Sequence, residues 1–237
     1  TDMRTDVSTP HSLPGTFLVS ATLLIAAVAP SAVLANVRSD WMASGTFGVM
    51  THYLPGPTGA TEAERTADFN RIVNQFDIDS YIRQFQATGA DWLIFTLGQS
   101  SGYLNSSNPA IDSLVPGHTP QRDLALEVAQ RVHALGKRTI LYYPAARQAD
   151  AAVKEALGYG TDGYDARYFD FIRQYSVKFG GLCDGWWFDG CSVNTSAFWE
   201  QWLAAARDGN SQSAVSFSGA ELMSTGPVKP VTTLEDY

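Results

Sequence analysis

The stretch "GWWFDG", residues 185 to 190, sets small and apolar residues in a row and then a carboxylate, Asp189. A run of that composition reads as a buried strand, where an unpaired carboxylate is costly. A reactive group at the rigid end of a strand is held as an in-line attack requires. Side chains alternate across a strand, so Trp187 and Asp189 share one face and Trp186 and Phe188 the other. The plain alternative is that Asp189-Gly190 is only a turn, since Asp-Gly is a common way to leave a strand. Other polar residues also stand where apolar runs stop: His52 in "MTHYL", Gln99 after "DWLIFTLG", Tyr143 in "RTILYYP" and Glu221 after "SAVSFSG".

Groups spread this far along a chain must be gathered by a framework, and the sequence supplies one as an alternation of elements. Strands are expected over 46–54, 91–98, 138–144, 185–190 and 213–219. A Pro/Gly-rich loop is expected after the first. Helices are expected in "DIDSYIRQFQATGA", whose Ile78, Tyr81, Ile82 and Phe85 fall at three-and-four spacing before Gly89, and in "TPQRDLALEVAQRVHALGK", with Thr119 as cap and Pro120 in the first turn. Two more are expected in "ARYFDFIRQYSVKFG" and "SAFWEQWLAAARDGN", the latter with Trp199 and Trp202 on one core-facing side. Strands apolar on both faces, alternating with helices, mean a parallel sheet under helices. The choice lies between an open doubly wound sheet and a (β/α)8 barrel. No glycine-rich phosphate fingerprint follows the first strand, and polar residues gather at strand ends, where a barrel keeps its catalytic groups. The expected fold class is therefore α/β, a TIM-barrel-like domain with about five to six βα units, the sixth strand being "KPVTTLEDY". A closed barrel wants eight strands, so the domain reads as incomplete at its C-terminal side.

Composition excludes several functions. The chain has 237 residues, a net charge of -8 and no Lys/Arg cluster, so nucleic acid is not an expected partner. Its four histidines are widely spaced and form no metal-ligand pattern, so no metal and no cofactor are expected. Cys183 and Cys191 flank the fourth strand; extended chain of that length spans roughly 26 Å, too far for a disulfide. Residues 1–35 read as a secretory signal peptide: Met3 and Arg4, the apolar run "TFLVSATLLIAAVA", then Val33 and Ala35 at the small-residue cleavage positions. The run is shorter than the ~20 residues of a spanning helix. The expectation is a secreted or periplasmic domain over 36–237, with no stable membrane insertion after cleavage.

The stretches "ATGADWLIFTLGQSSGY", "RDLALEVAQRVHALGKRTILYY" and "FIRQYSVKFGGLCDGWWFDG" together resemble the α-L-fucosidase family of retaining glycoside hydrolases, in order over roughly residues 40 to 219. That family's pattern is a first strand ending in His, a second leading to an HHDGF-like turn, a third like "GLYYS" and a fourth ending "WFDG". The resemblance implies a (β/α)8-like catalytic domain, a glycan or glycoside substrate and Asp189 as the nucleophile. It also implies that His52 hydrogen-bonds a sugar hydroxyl, the alternative being a buried structural histidine. Trp187 would give the sugar an apolar wall suited to a 6-deoxy methyl group. Gln99, Tyr103 and Tyr143 are the remaining candidates for substrate binding. The family's paired histidines are here Gln99 and Ser100, with "SSGY" where the family has "DGF", which marks the chain as divergent. Retention needs a second carboxyl group about 5 to 5.5 Å from the nucleophile. Its position varies in the family; Glu221 is the candidate here, against the alternative of an exposed loop glutamate, while Glu127 and Glu200 fall mid-helix. A carbohydrate-binding protein on the same scaffold without catalysis is the competing reading.

Overall fold

Parallel strands and helices alternate along the chain. The computed structural model describes residues 38–144, 151–191, 195–219 and 236, all within one compact unit, Ala35–Tyr237. The order is α1 (Asp40–Ser44), β1 (Gly48–Thr51), α2 (Glu62–Asn74), α3 (Ile78–Thr88), β2 (Trp92–Thr96), α4 (Pro109–Leu114), α5 (Leu124–Ala134), β3 (Arg138–Pro144), α6 (Ala151–Ala156), α7 (Tyr164–Phe179), β4 (Gly185–Cys191), α8 (Ser196–Arg207) and β5 (Ala214–Gly219). The leader pattern of 1–35 and, apart from Asp236, the sixth-strand stretch 229–237 lie outside the described residues. No helix among the described residues is long and apolar enough to cross a membrane.

The sheet runs β1-β2-β3-β4-β5 with every neighbouring pair parallel. A doubly wound sheet reverses its strand order at a switch point; this one never does. Because crossovers between parallel strands are right-handed, steps that always move the same way put every crossover helix on one face. That is the arrangement of a TIM barrel, present among the described residues as five consecutive parallel strands joined by four helical crossovers.

The two faces differ as this demands. Leu93, Phe95, Leu141, Trp186, Phe188, Val215 and Phe217 are buried on the helix-facing side. Phe188 stacks on Trp186 (5.2 Å between centroids) and meets Trp202 of α8 at 4.9 Å, while Trp199 meets Phe217 at 4.8 Å. Full burial of each such side chain contributes roughly 1.5–3 kcal/mol. On the opposite face Met50, Ile94, Trp187, Asp189, Ser216 and Ser218 are only half-buried.

Two local expectations are corrected. The loop expected after β1 contains α2, a 13-residue helix begun by a capping box in which Thr61 accepts from the Glu64 amide and Glu64 accepts from the Thr61 amide. The helix expected from Thr119 starts later: Asp123 caps α5 by accepting from the Leu126 amide, and the Thr119 hydroxyl bonds Asp112 instead. Cys183 and Cys191 are both buried and are not bonded to each other.

Two buried carboxylates stand near the N-terminal ends of the strands. Asp184, just before β4, is 4% exposed and accepts from His133 Nε2 at 2.7 Å, Arg138 Nη1 at 2.6 Å and the Thr139 amide at 2.9 Å, tying β4 to β3 and α5. Asp236 engages the edge of β5 that faces away from β4: its amide donates to the Val215 carbonyl at 2.7 Å and its carboxylate accepts from the Val215 amide at 2.8 Å. Arg207 pairs with the same carboxylate, and the Ser39 hydroxyl donates to the Asp236 carbonyl at 2.9 Å.

Candidate active site

Alternation within β3 and β4 decides which side chains meet. Tyr142 lies beside Trp187 in the register, and Thr96 and Ser216 extend the same row. All four therefore belong to the face without helices. The rings of Tyr142 and Trp187 pack edge to face at 5.4 Å and 86°. His52, the residue after β1, is exposed and packs against Tyr142 at 4.9 Å and 73°. Imidazole, phenol and indole thus form a continuous aromatic wall.

Asp189 stands at the C-terminal end of β4 beside this wall, with donors converging on it. Tyr142 donates its hydroxyl to Oδ2 at 2.9 Å. Oδ1 accepts from the Ser218 hydroxyl at 2.8 Å and from the Gly190 amide at 2.8 Å. A carboxylate is acceptor-only, and all three of these partners are donors. Burial, then the hydrogen bond to Asp189 and its charge, push the Tyr142 hydroxyl well above the usual phenol range. The phenol therefore stays protonated at neutral pH as a permanent donor.

The local backbone explains how Asp189 reaches Ser218. Phe188 pairs with Phe217 and Cys191 with Gly219, so two residues, Asp189 and Gly190, oppose the single Ser218. This is a β-bulge, a device that re-aims side chains at barrel rims. Gly190 has φ 72°, in the left-handed region that glycine enters without strain. The Asp-Gly pair is thus a bulge within a strand that continues to Cys191.

The structure brings His52, Trp187 and Asp189 together as a cluster; other sequence candidates lie elsewhere. Tyr143 is corrected: it is 1% exposed and faces the helices, 5.1 Å from Phe171, because it is one residue out of phase with Trp187. Its neighbour Tyr142 has the position expected of it. Tyr103 is also corrected: it is buried, stacks on His118 at 4.8 Å and donates to Glu62 at 3.3 Å, fastening the loop after β2 to α2. Gln99 follows β2 half-buried, with its Oε1 buried and without a hydrogen-bond partner among the described residues. Glu221 lies outside the described residues.

Sequence reasoning missed Tyr142, Ser218 and the Gly190 amide. The serine had a signal, since "AVSFSG" alternates apolar with polar residues as a half-buried strand does. No second carboxyl group touches the cluster among the described residues. Glu62 is engaged by Arg65, whose hydrogen bond chiefly holds it below the usual carboxylate range, and Glu127 is paired with Arg122 at 2.7 Å. Among the described residues no group of three or more His, Cys, Asp or Glu side chains is placed to hold a metal ion.

No family model matches the chain, and no curated protein matches it significantly. Solved structures do. The endo-fucoidan hydrolase MfFcnA9 from glycoside hydrolase family 107 aligns with a TM-score of 0.57 at 18% identity, over 81% of this chain and 41% of that one. An alanine variant of the α-L-fucosidase AlfC in complex with Fucα(1,6)GlcNAc aligns with a TM-score of 0.57 at 15% identity, over 84% of this chain and 71% of that one. AlfC from Lactobacillus casei in complex with the α-L-fucose product aligns with a TM-score of 0.55 at 15% identity, covering 76% and 68%. At these identities the likeness is one of fold, and the chain spans less than half of MfFcnA9.

Proposed function

We propose that this chain carries the nucleophile-bearing part of a retaining glycoside hydrolase acting on fucose-like sugars, with Asp189 as the nucleophile. The observation that supports it best is the convergence of the Tyr142, Ser218 and Gly190 donors on one carboxylate, at the strand end where barrel enzymes keep their reactive groups. A turn aspartate would need only the amide bond. The wall of His52, Tyr142 and Trp187 offers a 6-deoxy sugar an apolar surface for its methyl group and leaves the exposed imidazole free for a hydroxyl.

In this reading Asp189 attacks the anomeric carbon and a covalent glycosyl-Asp ester forms while the glycosidic bond breaks. The leaving oxygen takes a proton from a second carboxyl group about 5 to 5.5 Å from Asp189, for which Glu221 is the candidate. Water then hydrolyses the ester with that group acting as base. The substrate is a glycan or glycoside from which terminal sugars are released, and the leader pattern of residues 1–35 supports export. The second reading, a carbohydrate-binding protein without catalysis, is favoured by one observation: no second carboxyl group touches the cluster among the described residues.

The experiment is to incubate the protein with a 2-fluoro-fucosyl fluoride and weigh it intact beside Asp189→Ala. A gain of one fluorinated sugar on the unmutated chain, absent from the variant, is expected. No gain on folded protein refutes the hydrolase reading in favour of the binding protein.

A further inference from the structure

The donor directions around Ser218 are fixed by chemistry. An indole N–H is a donor only and a carboxylate an acceptor only. Trp187 Nε1 lies 2.8 Å from Ser218 Oγ, which lies 2.8 Å from Asp189 Oδ1. The serine must therefore accept from the indole and aim its own proton at the carboxylate. The bulge that sets two residues of β4 against Ser218 is what puts Oδ1 within its reach. Among the described residues, Oδ1 is occupied by two donors, whereas Oδ2 accepts from the Tyr142 hydroxyl alone and keeps a lone pair.

We propose that Ser218 is a positioning residue: with Trp187 behind it, its hydroxyl anchors Oδ1 so that Asp189 attacks through Oδ2. The inference rests on the reading of Asp189 as nucleophile. With a fucosyl fluoride, an Oδ2 lone pair forms the bond to the anomeric carbon while fluoride leaves with the electron pair of the C–F bond. The single negative charge passes from carboxylate to fluoride, and no proton is needed. Oδ1 becomes the carbonyl oxygen of the ester and keeps both donors, so the anchor holds through the step. A hydroxyl that only filled space beside Trp187 would leave the chemical step indifferent to its loss.

Two measurements on the whole chain test this. The first follows the Trp187 indole proton by NMR, assigned through its loss in Trp187→Phe, against pH. Its shift is expected to follow protonation of Asp189, to lose that inflection in Asp189→Asn and in Ser218→Ala, and to keep it in Ser218→Thr. An inflection that persists in Ser218→Ala overturns the proposal. The second measures fluoride release from α-fucosyl fluoride. Loss of a hydrogen bond to a charged group predicts kcat lowered roughly 10- to 100-fold in Ser218→Ala, with KM little changed and the rate restored in Ser218→Thr. An unchanged kcat, or a rise confined to KM, overturns it. If the unmutated protein releases no fluoride, the hydrolase reading fails, while the NMR titration still decides whether Ser218 links Trp187 to Asp189.

Discussion

Replacing Asp184 with asparagine tests how the sheet is held, independently of any activity. The substitution keeps the shape but removes the charge that Arg138 and His133 point at, and it turns an NH2 group toward one of three donors. Breaking a buried ion pair costs about 3–5 kcal/mol. Arg138 is half exposed, so its share is screened by water. The lower end, about 3 kcal/mol, is the expected loss. With a urea m-value toward the upper end of roughly 1–3 kcal/mol per molar, the unfolding midpoint at pH 7 should fall by about 1–1.5 M, read by circular dichroism. The pH dependence has a definite sign. Burial, the largest effect on the Asp184 carboxyl, raises its pKa, yet the bonds from His133, Arg138 and the Thr139 amide together bring it below the ordinary value. A carboxyl whose folded pKa is depressed stabilises fully above its unfolded pKa, about 3.9, and loses that contribution as the pH falls through the folded value. The gap between the unmutated protein and Asp184→Asn should thus be flat near neutral pH and close in acid. Asp170→Asn, at an exposed pair with Arg173, serves as control and should stay within about 0.5 kcal/mol. A midpoint shift for Asp184→Asn no larger than the control's, or a gap that widens in acid, would refute the reasoning.

Tyr142→Phe removes one donor from Asp189 while keeping the ring between His52 and Trp187; kcat for a fucosyl fluoride should drop roughly 10- to 100-fold with the urea midpoint little changed. Tyr143→Ala should do the reverse, lowering stability by about 3–5 kcal/mol through lost packing on Phe171, as urea titration would show. Thr61→Ala breaks the capping box of α2 and should cost about 1 kcal/mol, a fall in Tm of about 2–4 °C by calorimetry. Asp236→Ala leaves Arg207 and the Val215 amide without this partner; a loss of about 3 kcal/mol is expected in urea, with added dimer by light scattering if the freed β5 edge pairs with a second copy.

The alternation of strands and helices was legible because parallel strands are apolar on both faces and helices declare themselves by spacing. Legibility failed where a local signal was weak or a distant partner decided. Helix α2 buries only Phe69 and Val73, too narrow a stripe to stand out after the "LPGPTGA" loop, although its Thr-x-x-Glu start was on view. Thr119 and Asp123 are both good caps by residue type, and only the position of Asp112 draws Thr119 away. Two adjacent tyrosines in "ILYYP" differ solely in phase, and phase is fixed by the register with β4, not by anything within the stretch. Ser218 gained its place from a bulge in another strand.

The stretch "GWWFDG" contains both halves of an explanation for its own carboxylate. Trp186 and Phe188 stack at 5.2 Å, and Phe188 is held between Trp202 and Phe217. A side chain in such contact cannot shift without opening a gap in a close-packed interior, so β4 is pinned from its helix side. Trp187 and Asp189, on the other face of the same backbone, inherit that rigidity. The bulge then turns the last of them onto its donors at the strand end. Moving Asp189 one residue back along the strand would place it at the position of Phe188, among Trp202 and Phe217. The position of the carboxylate thus follows from the aromatic residues that alternate with it, and those residues have as much claim on the candidate site as the groups that line it.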